Sequence, residues 1–194
     1  RVLHLGCADH APLIEKKILS GTYLHDLLQN AADEIAGVDI NVEGVRQMEI
    51  LGFKNLFLNL EDLPDKEWDV VFLPDTLEHL QDPGAFVRNL ISRVTFGELV
   101  VSVPNAYSLK NRLFFKTELI NSDHRSLHSC YSLARLLREE GLRVVEVVMA
   151  DTIGISRPLD LITKRLFPLT REHIIFKLEC LFVQGYTICK FDMF

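Results

Sequence analysis

Arg1-Val-Leu-His-Leu-Gly-Cys-Ala-Asp-His10 opens the chain, and its reading decides the fold. Val2–Leu5 has the apolar, β-branched character of a buried strand, and Gly6 breaks it with a tight turn. Many nucleotide-binding folds begin in this way, but their turns are glycine-rich. Here Ala8 and His10 stand where further glycines are expected, and His4 interrupts the apolar run. Three readings are open: a cofactor-binding loop, a metal cluster of His4, Cys7 and His10, or a strand and a turn. The cluster matches no standard zinc spacing, so no metal is expected, and a buried or supporting histidine is the commoner outcome.

Outward from that stretch, β-rich runs alternate with helical patterns. Strands are expected at Val2–Leu5, Ile35–Asp39, Asn55–Leu60, Trp68–Leu73, Glu98–Val103 and Leu142–Met149, with a last edge strand at Tyr186–Phe191. Helices are expected over Pro12–Leu19 and Tyr23–Ala32, after an Asn41 cap, from Pro83 behind Asp82 to about Val94, and after a Ser129 cap. This is the βαβ signature of a parallel sheet. Residues 151–182 read as a helical insertion punctuated by Pro158 and Pro168, inside a single domain spanning 1–194. Its apolar set Leu159, Ile162, Leu166 and Phe167 suits the core or a homodimer interface.

The composition excludes several functions. A net charge of −6, with no basic run, argues against nucleic acid as a partner. No apolar stretch reaches the roughly 18–20 residues of a transmembrane segment. The four cysteines form no C-x-x-C pair, which suits reduced thiols in a cytoplasmic protein.

In an open parallel sheet, ligands bind beyond the carboxyl ends of the strands, where strand order reverses. That rule nominates Gly6 to His10, Asp39, Asn59 to Asp62 and Pro74 to His79. Asp39 closes an apolar strand where a carboxylate can accept from two ribose hydroxyls; the plainer reading is a charge beside the helix N-terminus at Asn41. The first loop lacks the G-x-G-x-x-G of a dinucleotide site, which disfavours an NAD oxidoreductase. His79 and His124 are candidate general bases, since histidine titrates near neutrality. Glu78 and His79 could equally brace the turn before Pro83, and His124 could be a surface residue. Asp75 is divided between a ligand-lining role and a helix cap shared with Thr76. Residues 105–129, with Tyr107, Phe114, Phe115 and Lys116, form a connection long enough for a substrate flap, or a helix over 109–115 that packs on the sheet.

V-L-H-L-G-C, G-V-D-I, L-N-L-E-D-L-P, W-D-V-V-F-L-P-D-T-L-E-H-L-Q-D-P and G-E-L-V-V-S-V-P-N follow one another at characteristic spacing. D-H-x-x-x-x-S and L-x-x-L-L-x-x-x-G come later. Together they resemble the class I S-adenosylmethionine-dependent methyltransferases, in the ubiquinone-type and methionine-W-type branch, over residues 1 to about 150. The resemblance implies an α/β, Rossmann-like sheet of seven strands, mostly parallel with the last antiparallel, and helices on both faces. It implies S-adenosyl-L-methionine as cofactor and a small-molecule acceptor, glycan or lipid-linked, methylated at oxygen. Carried over, His4, Gly6, Cys7, Ala8 and His10 would line the methionine end, and Asp39 and Ile40 would hold ribose and adenine. Asn59, Leu60 and Glu61 would stand beside the adenine amino group, and Pro74 and Asp75 near the sulfur. His4 departs from the family's usual acidic residue. The rival from another class is a non-catalytic binding or partner domain of the same fold.

Overall fold

Alternation along the strands builds two cores, one on each side of a sheet. The computed structural model describes residues 1–108, 123–150 and 173–180. Its strands are β1 (Val2–Leu5), β2 (Ile35–Val38), β3 (Leu56–Phe57), β4 (Glu67–Pro74), β5 (Thr95–Pro104), β6 (Leu142–Ala150) and β7 (His173–Cys180). The helices are α1 (Ala11–Leu19), α2 (Leu24–Ala31), α3 (Val42–Ile50), α4 (Pro83–Arg93) and α5 (Cys130–Glu139).

The seven strands lie in the order β3-β2-β1-β4-β5-β7-β6. β1, β2, β3, β4 and β5 pair in parallel, and β7 runs antiparallel to both β5 and β6. The expected architecture is therefore present. Leu3 and Leu5 of β1 join Val71 and Leu73 of β4, Leu99 and Val101 of β5, and Ile174, Phe176 and Leu178 of β7 in the larger core. Val87 and Leu90 of α4 and Leu133 and Leu137 of α5 cover that face. Strand side chains point alternately to the two faces, so His4 turns to the opposite side. There Ile14 of α1, Tyr23 and Met48 of α3 form the smaller core with Cys7 and Phe53.

The helix starts follow the sequence. Asn41 Oδ1 accepts from Gly44 N–H at 3.1 Å, Asp82 Oδ1 from Ala85 N–H at 2.8 Å, and Ser129 Oγ from Ser132 N–H at 3.1 Å. Each satisfies a backbone donor that the first helical turn leaves unpaired.

Two elements differ from expectation. The third strand keeps only Leu56–Phe57, because Asn55 takes a left-handed φ of 55° and a short helical turn begins at Leu60. The antiparallel strand is His173–Cys180, so the proposed helical insertion does not extend through 182. H-I-I-F-K-L-E-C alternates: Ile174, Phe176 and Leu178 are buried, while Ile175, Lys177 and Glu179 face the other way and are half-buried. Pro168 and the mixed polar residues disguise a period-two pattern as an amphipathic helix. Tyr186–Phe191, the apolar set at 159–167 and residues 109–122 of the flap lie outside the described residues.

Phe176 is fully buried between β5 and β6, so Phe176→Ala should cost about 3–5 kcal/mol in urea unfolding. Val148→Ala, 43% exposed beside Ile175 on the opposite face of the sheet, should cost far less. Equal losses would contradict the pairing of β7.

Candidate active site

Strand order reverses between β1 and β4, and a cavity of about 740 Å³ opens there, beyond the carboxyl ends of β1, β2 and β4. It is lined by every residue expected at the cofactor: His4, Gly6, Cys7, Ala8, His10, Asp39, Ile40, Asn59, Leu60, Glu61, Pro74 and Asp75. His79 lines it too.

The first loop is held without the missing glycines. Asp39 Oδ2 accepts from Ala8 N–H at 2.8 Å, and its Oδ1 accepts from Asn41 N–H at 2.8 Å. The carboxylate thus ties the loop after β1 to the start of α3. It braces the helix start, as the plainer reading has it, and it also lines the cavity, with further lone pairs on both oxygens. Burial raises its pKa, against the two backbone bonds, which lower it. Asn41 Nδ2 donates to the Asp9 carbonyl at 3.3 Å, Lys17 pairs with the Asp9 carboxylate, and Tyr23 Oη donates to the Cys7 carbonyl at 2.9 Å. Gly44 lets α3 come this close, since a Cβ there would lie 2.8 Å from the Asp9 carbonyl oxygen. Gly6 has a φ of +69°, and a Cβ on it would lie 2.4 Å from Thr76 Oγ1. Its missing side chain makes room for the turn after β4.

His4 is 2% exposed and does not form a donor cluster with Cys7 and His10. It stacks on His25 of α2, ring centroids 5.3 Å apart, with Nδ1 to Nδ1 at 3.1 Å. Burial lowers the pKa of His4 to about 3, with His25 adding to the effect, and burial lowers that of His25 to about 4. Both rings are neutral near pH 7, one donating and the other accepting. The Nε2 atoms of both are buried without a hydrogen-bond partner. Cys7 is buried beside Gly37, and burial pushes its thiol far up, so it is no ready ligand. His10 is exposed.

On the far side, β4 ends at Pro74, and Asp75 after it has a φ of +40° that turns the chain sharply. Its N–H donates to the Ser102 carbonyl at 2.9 Å, and Ser102 Oγ donates to its Oδ1 at 3.0 Å. Thr76 does not cap the following turn with its side chain: its Oγ1 donates back to the Pro74 carbonyl at 2.7 Å. Asn59 Nδ2 donates to Asp62 Oδ2 at 3.2 Å, Glu61 pairs with Arg93 at 3.3 Å, and Ile40 is 84% exposed beside the cavity.

The two candidate bases, far apart in sequence, meet at the cavity edge. The rings of His79 and His124 lie 4.8 Å apart, edge to face. Sequence reasoning did not find Tyr23 or His25. Tyr23 sat in an expected helix, and nothing local shows that α2 turns His25 under His4.

A family model described as a methyltransferase domain matches residues 1–147. A chain in the complex between the Haloferax volcanii Trm112 methyltransferase activator and a methyltransferase superposes with a TM-score of 0.64 at 18% identity, covering 92% of this chain and 81% of that one. A SAM-dependent methyltransferase from Archaeoglobus fulgidus gives 0.60 at 21% identity, covering 92% and 85%. The magnesium protoporphyrin IX methyltransferase of Synechocystis PCC 6803, with bound SAH, gives 0.57 at 18% identity, covering 92% and 73%. Comparison with curated proteins finds no match.

The neutral histidine pair sets a pH dependence. Its folded pKa values lie below the ordinary 6.5. Below pH 6.5 the unfolded chain takes up protons that the folded chain refuses, so stability is present above that value and is lost as pH falls toward 4. Between pH 7 and 5 each histidine should remove about 2 kcal/mol. In urea unfolding at the two pH values, His25→Phe should lose roughly half of this difference. An unchanged difference would mean that the pair is not buried neutral.

Proposed function

The chain belongs to the methyltransferase domain family, with the fold of class I S-adenosylmethionine-dependent methyltransferases, and on that premise we propose that it methylates a hydroxyl oxygen of a small-molecule acceptor. A glycan or lipid-linked precursor is the acceptor class we favour, by analogy with the family branch it resembles. The observation that carries the reading is Asp39: a half-buried carboxylate at the strand-order switch, with Ile40 exposed beside it, His79 lining the same cavity and His124 against His79.

The residues present fit S-adenosylmethionine. Asp39 retains lone pairs for the ribose hydroxyls, Ile40 offers a face to adenine, and Asn59 lies within the same cavity wall. The cavity volume is in the range of small-molecule sites, roughly 300–1,000 Å³. The buried Nε2 atoms of His4 and His25 leave polar capacity at the methionine end, where the family usually has a carboxylate.

When bound, the cofactor supplies a methyl group on a sulfonium, a leaving group that needs no acid. The chain therefore has to align the acceptor and dispose of its proton. His79 and His124 stand on the acceptor side. With S-adenosylmethionine bound, its sulfonium would supply the methyl group and keep the carbon–sulfur bonding pair, and His79 and His124 would orient the acceptor hydroxyl and take up its proton. Cys7, Cys130 and Cys180 are free thiols, which suits a reducing cytoplasm. No described helix is long and apolar enough to cross a membrane.

Calorimetry with S-adenosylhomocysteine tests the placement. Asp39→Ala should weaken binding at least tenfold, about 1.4 kcal/mol, while His79→Ala should keep the Kd within about twofold of the parent. An unchanged Kd in Asp39→Ala would refute the site. Formation of S-adenosylhomocysteine with hydroxylated glycan or lipid-linked acceptors is the expected turnover. Tight cofactor binding with no turnover on any acceptor would favour the non-catalytic binding domain.

A further inference from the structure

We propose that Glu78, His79 and His124 hold one divalent transition-metal cation at the acceptor side of the cavity. The sequence raises a metal only at His4, Cys7 and His10, whose spacing matches no standard site, and gives no such signal for Glu78, His79 and His124. In space each offers one ligand atom, and these atoms all lie within 4.8 Å of one another. Around a tetrahedral cation with bonds of about 2.1 Å, ligand atoms stand roughly 3.4 Å apart. Side-chain rotations of an ångström or so would close the set.

The backbone holds the three together before any ion arrives. Glu78 carbonyl accepts from Arg125 N–H at 2.7 Å and from Ser126 N–H at 3.2 Å, which fastens the loop carrying His124 to the turn carrying Glu78 and His79. His79 Nδ1 lies 3.0 Å from the Asp123 carbonyl oxygen. A carbonyl only accepts, so Nδ1 carries the hydrogen and Nε2 keeps the lone pair. That is the outer bond by which metal-binding histidines are fixed in tautomer and direction. Glu78 is 2% exposed, His124 is half-buried, and His79 is exposed and lines the cavity. The ion would thus be anchored on one side and open on the other.

Two imidazoles and one carboxylate favour zinc, cobalt, iron(II) or manganese over magnesium or calcium, which prefer all-oxygen shells. Three protein ligands leave at least one position open. A hydroxyl bound there has its pKa lowered and releases its proton to bulk water, so its oxygen meets the methyl carbon as an alkoxide. This task for the ion rests on the methyltransferase reading; its binding does not. It also gives the histidines a different part in the same step: they hold the ion by their lone pairs and do not themselves take the proton.

The test uses cobalt(II) alone, titrated by calorimetry into the full chain after chelator treatment and dialysis. We expect one ion per chain, with His79→Gln, His124→Ala and Glu78→Gln each raising the Kd tenfold or more. His10→Ala should bind as the parent does. Unchanged affinity for S-adenosylhomocysteine in the three variants shows that they are folded, and thermal melting serves as the second check. No cobalt binding by the parent at about 1 mM, or parental affinity in His79→Gln and His124→Ala, overturns the site and reduces the three residues to a brace for the turn. Cobalt binding that the variants lose, in a chain that ignores S-adenosylhomocysteine, keeps the metal site and removes the methyltransferase reading. The reverse pattern keeps that reading and removes the ion.

Discussion

One carboxylate couples the sheet to its ligand cavity. Asp39 takes the Ala8 N–H on one oxygen and the Asn41 N–H on the other, so the turn after β1 and the first turn of α3 move as one piece. Charge-assisted bonds to backbone N–H groups are roughly twice as strong as neutral ones, which lets the group tolerate partial burial. Remove the carboxylate and two backbone donors lose their partner at the mouth of the cavity. With the carboxylate in place the glycine-poor loop needs little backbone freedom of its own, because its shape is set from outside. Tyr23 and Asn41 hold its carbonyls, and Lys17 holds its Asp9.

The histidine pair is the second adaptation. An acidic residue at position 4 would place a charge under the cavity, whereas His4 brings none at neutral pH. A lone buried imidazole would leave both nitrogens unsatisfied. Stacking against His25 satisfies one nitrogen of each ring and passes the unsatisfied capacity to the two Nε2 atoms. His25 also meets Phe53 edge to face, with centroids 5.4 Å apart, so the polar pair is embedded in the smaller core. The arrangement is coherent only while both rings stay neutral.

What the sequence made legible is what short-range physics controls. β1, β2, β4 and β5 are continuous or alternating apolar runs ended by Gly, Asp or Pro, and Asn41, Asp82 and Ser129 cap as their side chains dictate. Asp39 was legible because a strand end followed by a cap is a local pattern. β7 was not: its alternation is a single eight-residue stretch between segments of mixed pattern, and its partners β5 and β6 lie far back along the chain. His25 and Tyr23 were invisible for a related reason. Their work depends on which way α2 faces, and packing on β2 and Phe53 sets that orientation, not the residues beside them.

The placement of β7 also explains why His79 and His124 meet where they do. β5 pairs in parallel with β4 up to Pro74 and Ser102, so the connections leaving these two strands start side by side. On its other edge β5 pairs with β7 up to Pro104 and His173, which closes the sheet there. The chain leaving β5 therefore has the β4 turn as its neighbour. Asn105 bridges to His128, and Arg125 and Ser126 donate to Glu78, so the returning loop is fastened at both the strand end and the turn. Two histidines 45 residues apart thus become neighbours by sheet topology and main-chain hydrogen bonds. Side-chain chemistry enters only after the backbone has brought them together.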